Sequence, residues 1–302
     1  MFTSPSPHSP TNSYPVFTIQ HPEKSKELDT LTESVRVKIP DIFSANISPQ
    51  MGTLLGQLPA FESMISRDHR IFDLEIYQFL VSRGYEVSLG TNEEQGKYRD
   101  CVSQFIEVGK KLGAKIDNDV YVETEIVQGP KRGNKSYKFY QTFDEKSWKT
   151  CIEKLPKLYG SIARDLGKSQ TGKISAKFPA YLGLYRERCD NLVIYCTDIH
   201  TLPKIQALVE RWIQENQIPS RNRPFYRSSF GIDAPVNPGE DKTSFSDLCA
   251  KLSYDYAKKY DAAYLQKTGK KLTNKEFNIL ALGQACMMAS SDPENIKAMT
   301  KR

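Results

Sequence analysis

The sequence predicts an α+β protein, with a central, largely antiparallel sheet and helices at its N- and C-terminal ends. Two observations lead there. Apolar residues recur at helical steps of three and four toward both ends of the chain, and they alternate with period two in short stretches between Val120 and Cys196.

The chain opens with MFTSPSPHSPTNSYPVFTIQHP, rich in Pro, Ser and Thr and free of Asp, Glu, Lys and Arg. Such residues bury little and the prolines block regular pairing, so residues 1–50 are expected to form a disordered Ser/Pro-rich segment. A segment of this kind fits passage through a secretion apparatus. A helical region is expected over residues 51–115 and an α+β core over 116–302.

Residues 53–65 and 68–82 read as helices. In the second, Ile71, Leu74, Tyr77 and Leu80 recur every three residues beside Phe72, Ile76 and Phe79, and Gly84 follows as a stop. A third helix is expected from about Glu93 to Leu112, on the stripe Tyr98, Cys101, Val102, Phe105, Val108 and Leu112. In VYVETEIV, Val120, Val122, Thr124 and Ile126 alternate with Tyr121, Glu123, Glu125 and Val127, the pattern of a half-buried strand. Gly129, Pro130 and Gly133 punctuate a turn before the next strand, KSYKFYQT, so the two are expected to form a hairpin.

Asp144 can cap the following helix, whose apolar positions Trp148, Ile152, Leu155, Tyr159, Ile162 and Leu166 share one side. Pro156 is expected to kink it and Gly167 to end it. KISAKF and NLVIYC read as two more strands, and Leu202, Ile205, Leu208, Val209, Trp212 and Ile213 make an amphipathic helix. Ile218 to Lys242, rich in Pro, Arg, Asn and Gly, reads as a long loop, and long loops in compact domains are often functional. Thr243 or Ser244 can cap the next helix, with Asp247 in capping-box position. A last helix is expected from Asn274 to Ala289.

The composition is that of a globular protein: 302 residues, 39% hydrophobic and 26% charged, with a net charge of +6. No window reaches the ~18 uninterrupted apolar residues of a membrane span, and the first residues lack the basic and apolar regions of a secretory signal peptide. Six scattered cysteines without CxxC pairs point to a reducing compartment and away from a zinc site or a disulfide framework. The charge is concentrated. Lys131 to Arg188 holds fourteen Lys or Arg against five Asp or Glu, a local excess of +9, so the rest of the chain is net −3. Such a stretch attracts phosphate on a phosphopeptide, a nucleic acid or a membrane surface.

Two motif readings fail. GKSQTGK at 167–173 has P-loop spacing, but Ile174 stands where Ser or Thr would hold magnesium, and the flanks run helix, loop, strand instead of strand, loop, helix. Cys196 and His200 could pair, but no third group orients them. What remains is a set of basic and phenolic residues on strands. In KSYKFYQT, Lys138 and Tyr140 share a face opposite Tyr137 and Phe139; in KISAKF, Lys173, Ser175 and Lys177 share a face opposite Ile174, Ala176 and Phe178. If the cationic faces line one side of the sheet they form a pocket for a phosphate monoester, in which clustered ammonium groups lower one another's pKa and one can act as a base. The alternative is a solvated sheet face on which the lysines are ordinary polar partners.

RCDNLVIYC, with KISAKF before it and TSFSDLCAKL after it, resembles the Hop A family of type III secretion effectors, which has relatives in thioamitide and class V lanthipeptide biosynthesis. The resemblance spans roughly Tyr121 to Tyr256 and rests on four blocks: the strand around Lys138 and Tyr140, Lys173 opening the next strand, Arg188-x-Asp190 leading into Leu192 to Tyr195, and Ser244-Phe245 at a helix start.

This resemblance, with a remoter one to phosphothreonine lyases, implies β-elimination of phosphate from phosphothreonine or phosphoserine, with no metal or organic cofactor. It implies Lys173 as the base, Tyr140 as the acid, Lys138, Lys177 and Arg188 as phosphate ligands, and Tyr195 lining the pocket. Arg188 could instead pair with Asp190, and Cys249 stands where relatives carry an Arg. The partners implied are a phosphorylated peptide or host protein and a secretion chaperone at the N-terminus. The location implied is a host cell reached by type III secretion, or the bacterial cytoplasm for a biosynthetic enzyme. A non-catalytic effector acting through its surface is the main alternative. Nucleic-acid binding through the basic stretch and Tyr137, Phe139 and Trp148 is a third, although no RRM, KH or helix-turn-helix signature is present.

Overall fold

The computed structural model describes residues 59–84, 87–110, 114–117, 120–129, 136–167, 172–221, 223, 226, 229–235 and 242–290. The expected disordered segment 1–50, the start of the first helix, and Pro130 and Gly133 of the expected turn lie outside the described residues.

The first two helices are α1 (Pro59–Ile65) and α2 (Asp73–Val81). The periodicity predicts α2 from residue 68, but residues 68–72 are drawn out of the helix by tertiary hydrogen bonds. The Ile71 N–H donates to Asn278 Oδ1 at 2.9 Å, Asn278 Nδ2 donates to the His69 carbonyl at 3.0 Å, and Arg70 donates to Asp261 and to the Leu272 carbonyl. Phe72 and Leu74, part of the expected apolar stripe, are exposed. Helix α3 (Asn92–Gly109) begins in a reciprocal cap: Thr91 Oγ1 accepts from the Glu94 N–H and the Glu94 carboxylate accepts from the Thr91 N–H.

Next come β1 (Lys115–Asp117), β2 (Tyr121–Val127) and β3 (Ser136–Phe143). Helix α4 (Trp148–Leu166) runs unbroken across Pro156 to Gly167. Asp144 does not cap it. It lies four residues before the first helical residue, and its carboxylate is taken by the Lys146 N–H and Arg221. Then follow β4 (Ile174–Pro179), a short α5 (Leu182–Glu187) that the strand pattern did not announce, β5 (Leu192–Cys196) and α6 (Leu202–Glu215).

The expected long loop contains β6 (Ser220–Arg221) and β7 (Phe230–Pro235), and β8 (Lys242–Thr243) closes it. Its Gly and Pro content hid a strand whose backbone pairs with β3. Helix α7 (Phe245–Thr268) starts where Ser244 Oγ accepts from the Asp247 N–H, and ends at Gly269 in the left-handed conformation. Helix α8 (Asn274–Ala289) has the predicted bounds.

The strand order is β1-β2-β4-β5-β3-β7-β8, with β6 also on β3, and every strand pair is antiparallel. The α+β class is therefore as read, but the β2–β3 hairpin is not formed. One edge of β2 is taken by β1 and the other by β4, which returns after the α4 crossover. Alternation tells which side chains share a face; it does not tell which strands are neighbours.

Two apolar cores result. One sheet face, carrying Val122, Phe139, Ala176, Phe178 and Ile194, packs under α3, α4 and α6 through Phe105, Leu155, Tyr159, Ile205 and Trp212. The other core joins both ends of the chain: α1 and α2 pack on α7 and α8 through Ile71, Ile76, Phe79, Leu248, Phe277 and Leu282. The helices before residue 115 are thus divided between the two cores. The layers are tied where the Cys189 N–H donates to the Val81 carbonyl, and where the buried Arg83 donates to the Arg186 and Tyr185 carbonyls and to Asn191.

Candidate functional site

The sheet face opposite α4 carries the polar side chains. Register places Lys138 beside Tyr195, Tyr195 beside Ser175 and Ser175 beside Glu125, in one row across β3, β5, β4 and β2. The next row is Tyr140, Val193, Lys177 and Glu123. Directly paired residues of antiparallel strands point to the same side, so Lys138, Tyr140, Tyr195, Ser175 and Lys177 share one face. Gly231 of β7 sits opposite Lys138, and Asp233 opposite Ser136.

Each predicted cation with a resolved ion pair has a carboxylate partner. Lys138 Nζ is 2.6 Å from Asp233 Oδ2, the lysine buried and the carboxylate partly so, and lies 4.9 Å from the Tyr195 ring centroid and 6.0 Å from that of Tyr140. Lys173 Nζ is 3.3 Å from Glu125 Oε2 and half-buried. Arg188 is not on a strand; it follows α5 and grips Asp190 with its Nε and Nη2 at 2.7 and 2.8 Å. Of its two sequence readings, the pairing with Asp190 is the one present. The Arg188 guanidinium also lies 5.8 Å from the Tyr121 ring and donates to the Tyr77 hydroxyl at 3.4 Å, so this end of the face meets α2.

Burial opposes ionisation of the phenols. It raises the pKa of Tyr140, Tyr195 and Tyr121 above the ordinary tyrosine value, against the pull of Arg223, Lys138 and Arg188 respectively. Each phenol keeps its proton at neutral pH. Burial also opposes the charge on Arg188, but the Asp190 carboxylate outweighs it and raises the pKa.

Four further residues belong to the cluster: Tyr77, Tyr121, Asp233 and Arg223. Arg223, from the Pro/Arg-rich segment between α6 and β7, is buried with its guanidinium 4.0 Å from the Tyr140 ring centroid and 3.3 Å from that of Tyr226. The Tyr226 hydroxyl meets Ser246 Oγ of α7, which fixes the Tyr226 ring. The charge of Arg223 also acts on Cys189 and on Cys249, whose thiol burial pushes up to about 12. The sequence signal for Arg223 was the long loop itself.

Cys196 and His200 do not form a catalytic pair. The Cys196 thiol donates to the Asp198 carbonyl, burial pushes its pKa up to about 12, and His200 is exposed. Among the described residues there is no group of three His, Cys, Asp or Glu placed to hold a metal ion, and no helix long and apolar enough to cross a membrane.

No family model matches the sequence, and no curated protein matches it. One solved structure, described as the effector protein from Pseudomonas syringae pv. tomato strain DC3000, aligns at 9% identity with a TM-score of 0.40, over 84% of this chain and 98% of that one. The Hop A resemblance rests on the residue blocks of the sequence.

Proposed function

We propose that the polar sheet face binds a phosphate monoester of threonine or serine in a peptide or protein, and eliminates the phosphate. The observation that carries this reading is the common face of Lys138, Tyr140, Tyr195, Ser175 and Lys177, met by Arg188 through Tyr121 and by Arg223 through Tyr140. The reaction type comes from the Hop A resemblance.

In the elimination a lysine amine takes the proton from Cα, the C–H electron pair becomes the Cα=Cβ bond, and the Cβ–O bond breaks with its electrons leaving on phosphate. The products are a dehydroamino acid and inorganic phosphate. Cations over the phosphate stabilise the departing charge, and a protonated phenol at Tyr140 can donate to the leaving oxygen. Lys173 is the base implied by the resemblance. Lys173 lies just before β4 with Glu125 Oε2 3.3 Å from its Nζ, and Lys177, on β4 in the row of Tyr140, is the alternative base.

The carboxylate partners of Lys138, Lys173 and Arg188 support a second reading, a non-catalytic effector that binds a phosphorylated host protein. Incubation with phosphothreonine and phosphoserine peptides, followed by mass, separates the two. Loss of phosphoric acid that disappears in Lys173→Ala or Lys177→Ala supports the lyase and identifies the base. Release of phosphate with the hydroxyl retained indicates hydrolysis. Peptides that bind unchanged leave the binding reading.

A further inference from the structure

Arg188 and Arg223 present the same chemical edge in opposite conditions. The planar fork of Nε and Nη2 is the part of an arginine that takes a carboxylate or phosphate through two parallel hydrogen bonds. On Arg188 that fork is filled by the two oxygens of Asp190. On Arg223 both Nε and Nη2 are buried without a hydrogen-bond partner among the described residues. The side chain is 6% exposed and cannot shed its charge, so two charged donors stand unsatisfied in the interior. The rings of Tyr140 and Tyr226 lie against the guanidinium and attract the cation, but they do not satisfy its N–H groups. Lone buried donors of this kind call for an acceptor that comes from outside.

We propose that Arg223 is the principal oxyanion ligand of this site, its Nε and Nη2 taking two oxygens of a phosphate group, with the rings of Tyr140 and Tyr226 holding the guanidinium plane. This deepens the reading above by naming the group that grips the phosphate, and it holds whether or not elimination follows. Lys138, Lys173 and Arg188 already pair with carboxylates, so the less compensated charge of Arg223 gains more from an anion. The fork has no exposed surface, so binding requires a small displacement of the rings that enclose it. An occupied site would then carry Tyr140 against the phosphate, where its hydroxyl proton is of use.

The test is binding of inorganic phosphate and of a phosphothreonine peptide, with the unphosphorylated peptide as control, to the full chain by calorimetry. Arg223→Gln should weaken phosphate binding tenfold or more, and Arg223→Lys, which keeps the charge and loses the fork, should restore only part of it. Arg164→Gln, on the exposed surface of α4, should bind as wild type. Unchanged affinity in a folded Arg223→Gln overturns the proposal, and so does a folded wild-type chain that binds neither probe. Should Arg223→Gln fail to fold, the Arg223 Nε–H resonance of the wild-type protein decides: a shift on phosphate addition supports the assignment and a stationary signal overturns it. Phosphate bound at Arg223 without any loss of phosphoric acid from the peptide would retire the lyase and leave this site standing.

Discussion

Lys138 and Asp233 form a largely buried ion pair at 2.6 Å across β3 and β7, diagonal to the pairing of Lys138 with Gly231. One carboxylate oxygen, Asp233 Oδ1, is buried without a hydrogen-bond partner among the described residues. Removing one member of such a pair leaves the other charge uncompensated, which costs about 3–5 kcal/mol in a buried site. Asp233→Asn should therefore lower the unfolding midpoint clearly in thermal or urea unfolding. It should also tighten phosphate binding, because Lys138 is released to the ligand. A variant that is destabilised but binds phosphate no better would place Lys138 in a structural role only.

Gly231 is set by the Tyr140 ring. A Cβ at this position would lie 2.6 Å from Tyr140 Cε2, well inside contact distance, so the buried ring would have to shift toward Arg223. Gly231→Ala should destabilise the protein by about 1–3 kcal/mol, the usual range for overpacking. A smaller side chain at position 140 should relieve it. In a double-mutant cycle with Tyr140→Leu, measured by urea unfolding, the cost of Gly231→Ala should shrink. Additive costs would show that the ring is not what excludes the methyl group.

These two contacts also mark what could be read in advance. The common face of Lys138 and Tyr140, and that of Ser175 and Lys177, follow from period-two alternation and were legible, as was the placing of Ile174, Ala176 and Phe178 against the helices. Strand neighbours were not. The order β2-β4-β5-β3 depends on where α4 returns the chain, and alternation carries no such information. Strand β7 was hidden because Gly231, needed under Tyr140, and Pro235 read as loop residues. Arg223 was invisible for a related reason: one of its rings is on a strand far away in sequence, and the other lies in the same segment and has no periodicity. Arg188 is a different case. Its two sequence readings were equally consistent with the residues, and only the bidentate geometry toward Asp190 separates them.

Asn278 is the polar joint between the two ends of the chain. Fully buried on α8, it accepts from the Ile71 N–H at 2.9 Å and donates to the carbonyls of His69 at 3.0 Å and Met64 at 3.3 Å. Asn278→Ala would leave three backbone groups without partners, each costing about 1–3 kcal/mol where water cannot replace the bond. A loss of about 3 kcal/mol or more is expected in chemical unfolding, with amides around Ile71 exchanging faster in hydrogen-exchange measurements. A loss below about 1 kcal/mol would mean that α1 and α2 are held by apolar packing alone.

Alkaline pH should unfold the protein through its buried acids. Burial pushes the thiols of Cys151, Cys196 and Cys249 up to about 12 and raises the phenols of Tyr98, Tyr159 and Tyr185, all of them core residues. The unfolded chain gives up these protons near the ordinary values of 9 for a thiol and 10 for a phenol, whereas the folded chain keeps them. The unfolded state therefore binds fewer protons above pH 9, and stability falls as pH rises. Below pH 9 both states are protonated and these groups contribute no slope. Thermal unfolding between pH 7 and 11 should show a midpoint that is level with respect to these groups up to about pH 9 and then drops steeply. Replacing Cys151 with Ala should make the drop shallower, while lowering the midpoint at neutral pH through the cavity left behind. A drop of the same steepness in Cys151→Ala would assign the alkaline transition to the tyrosines and the other buried thiols.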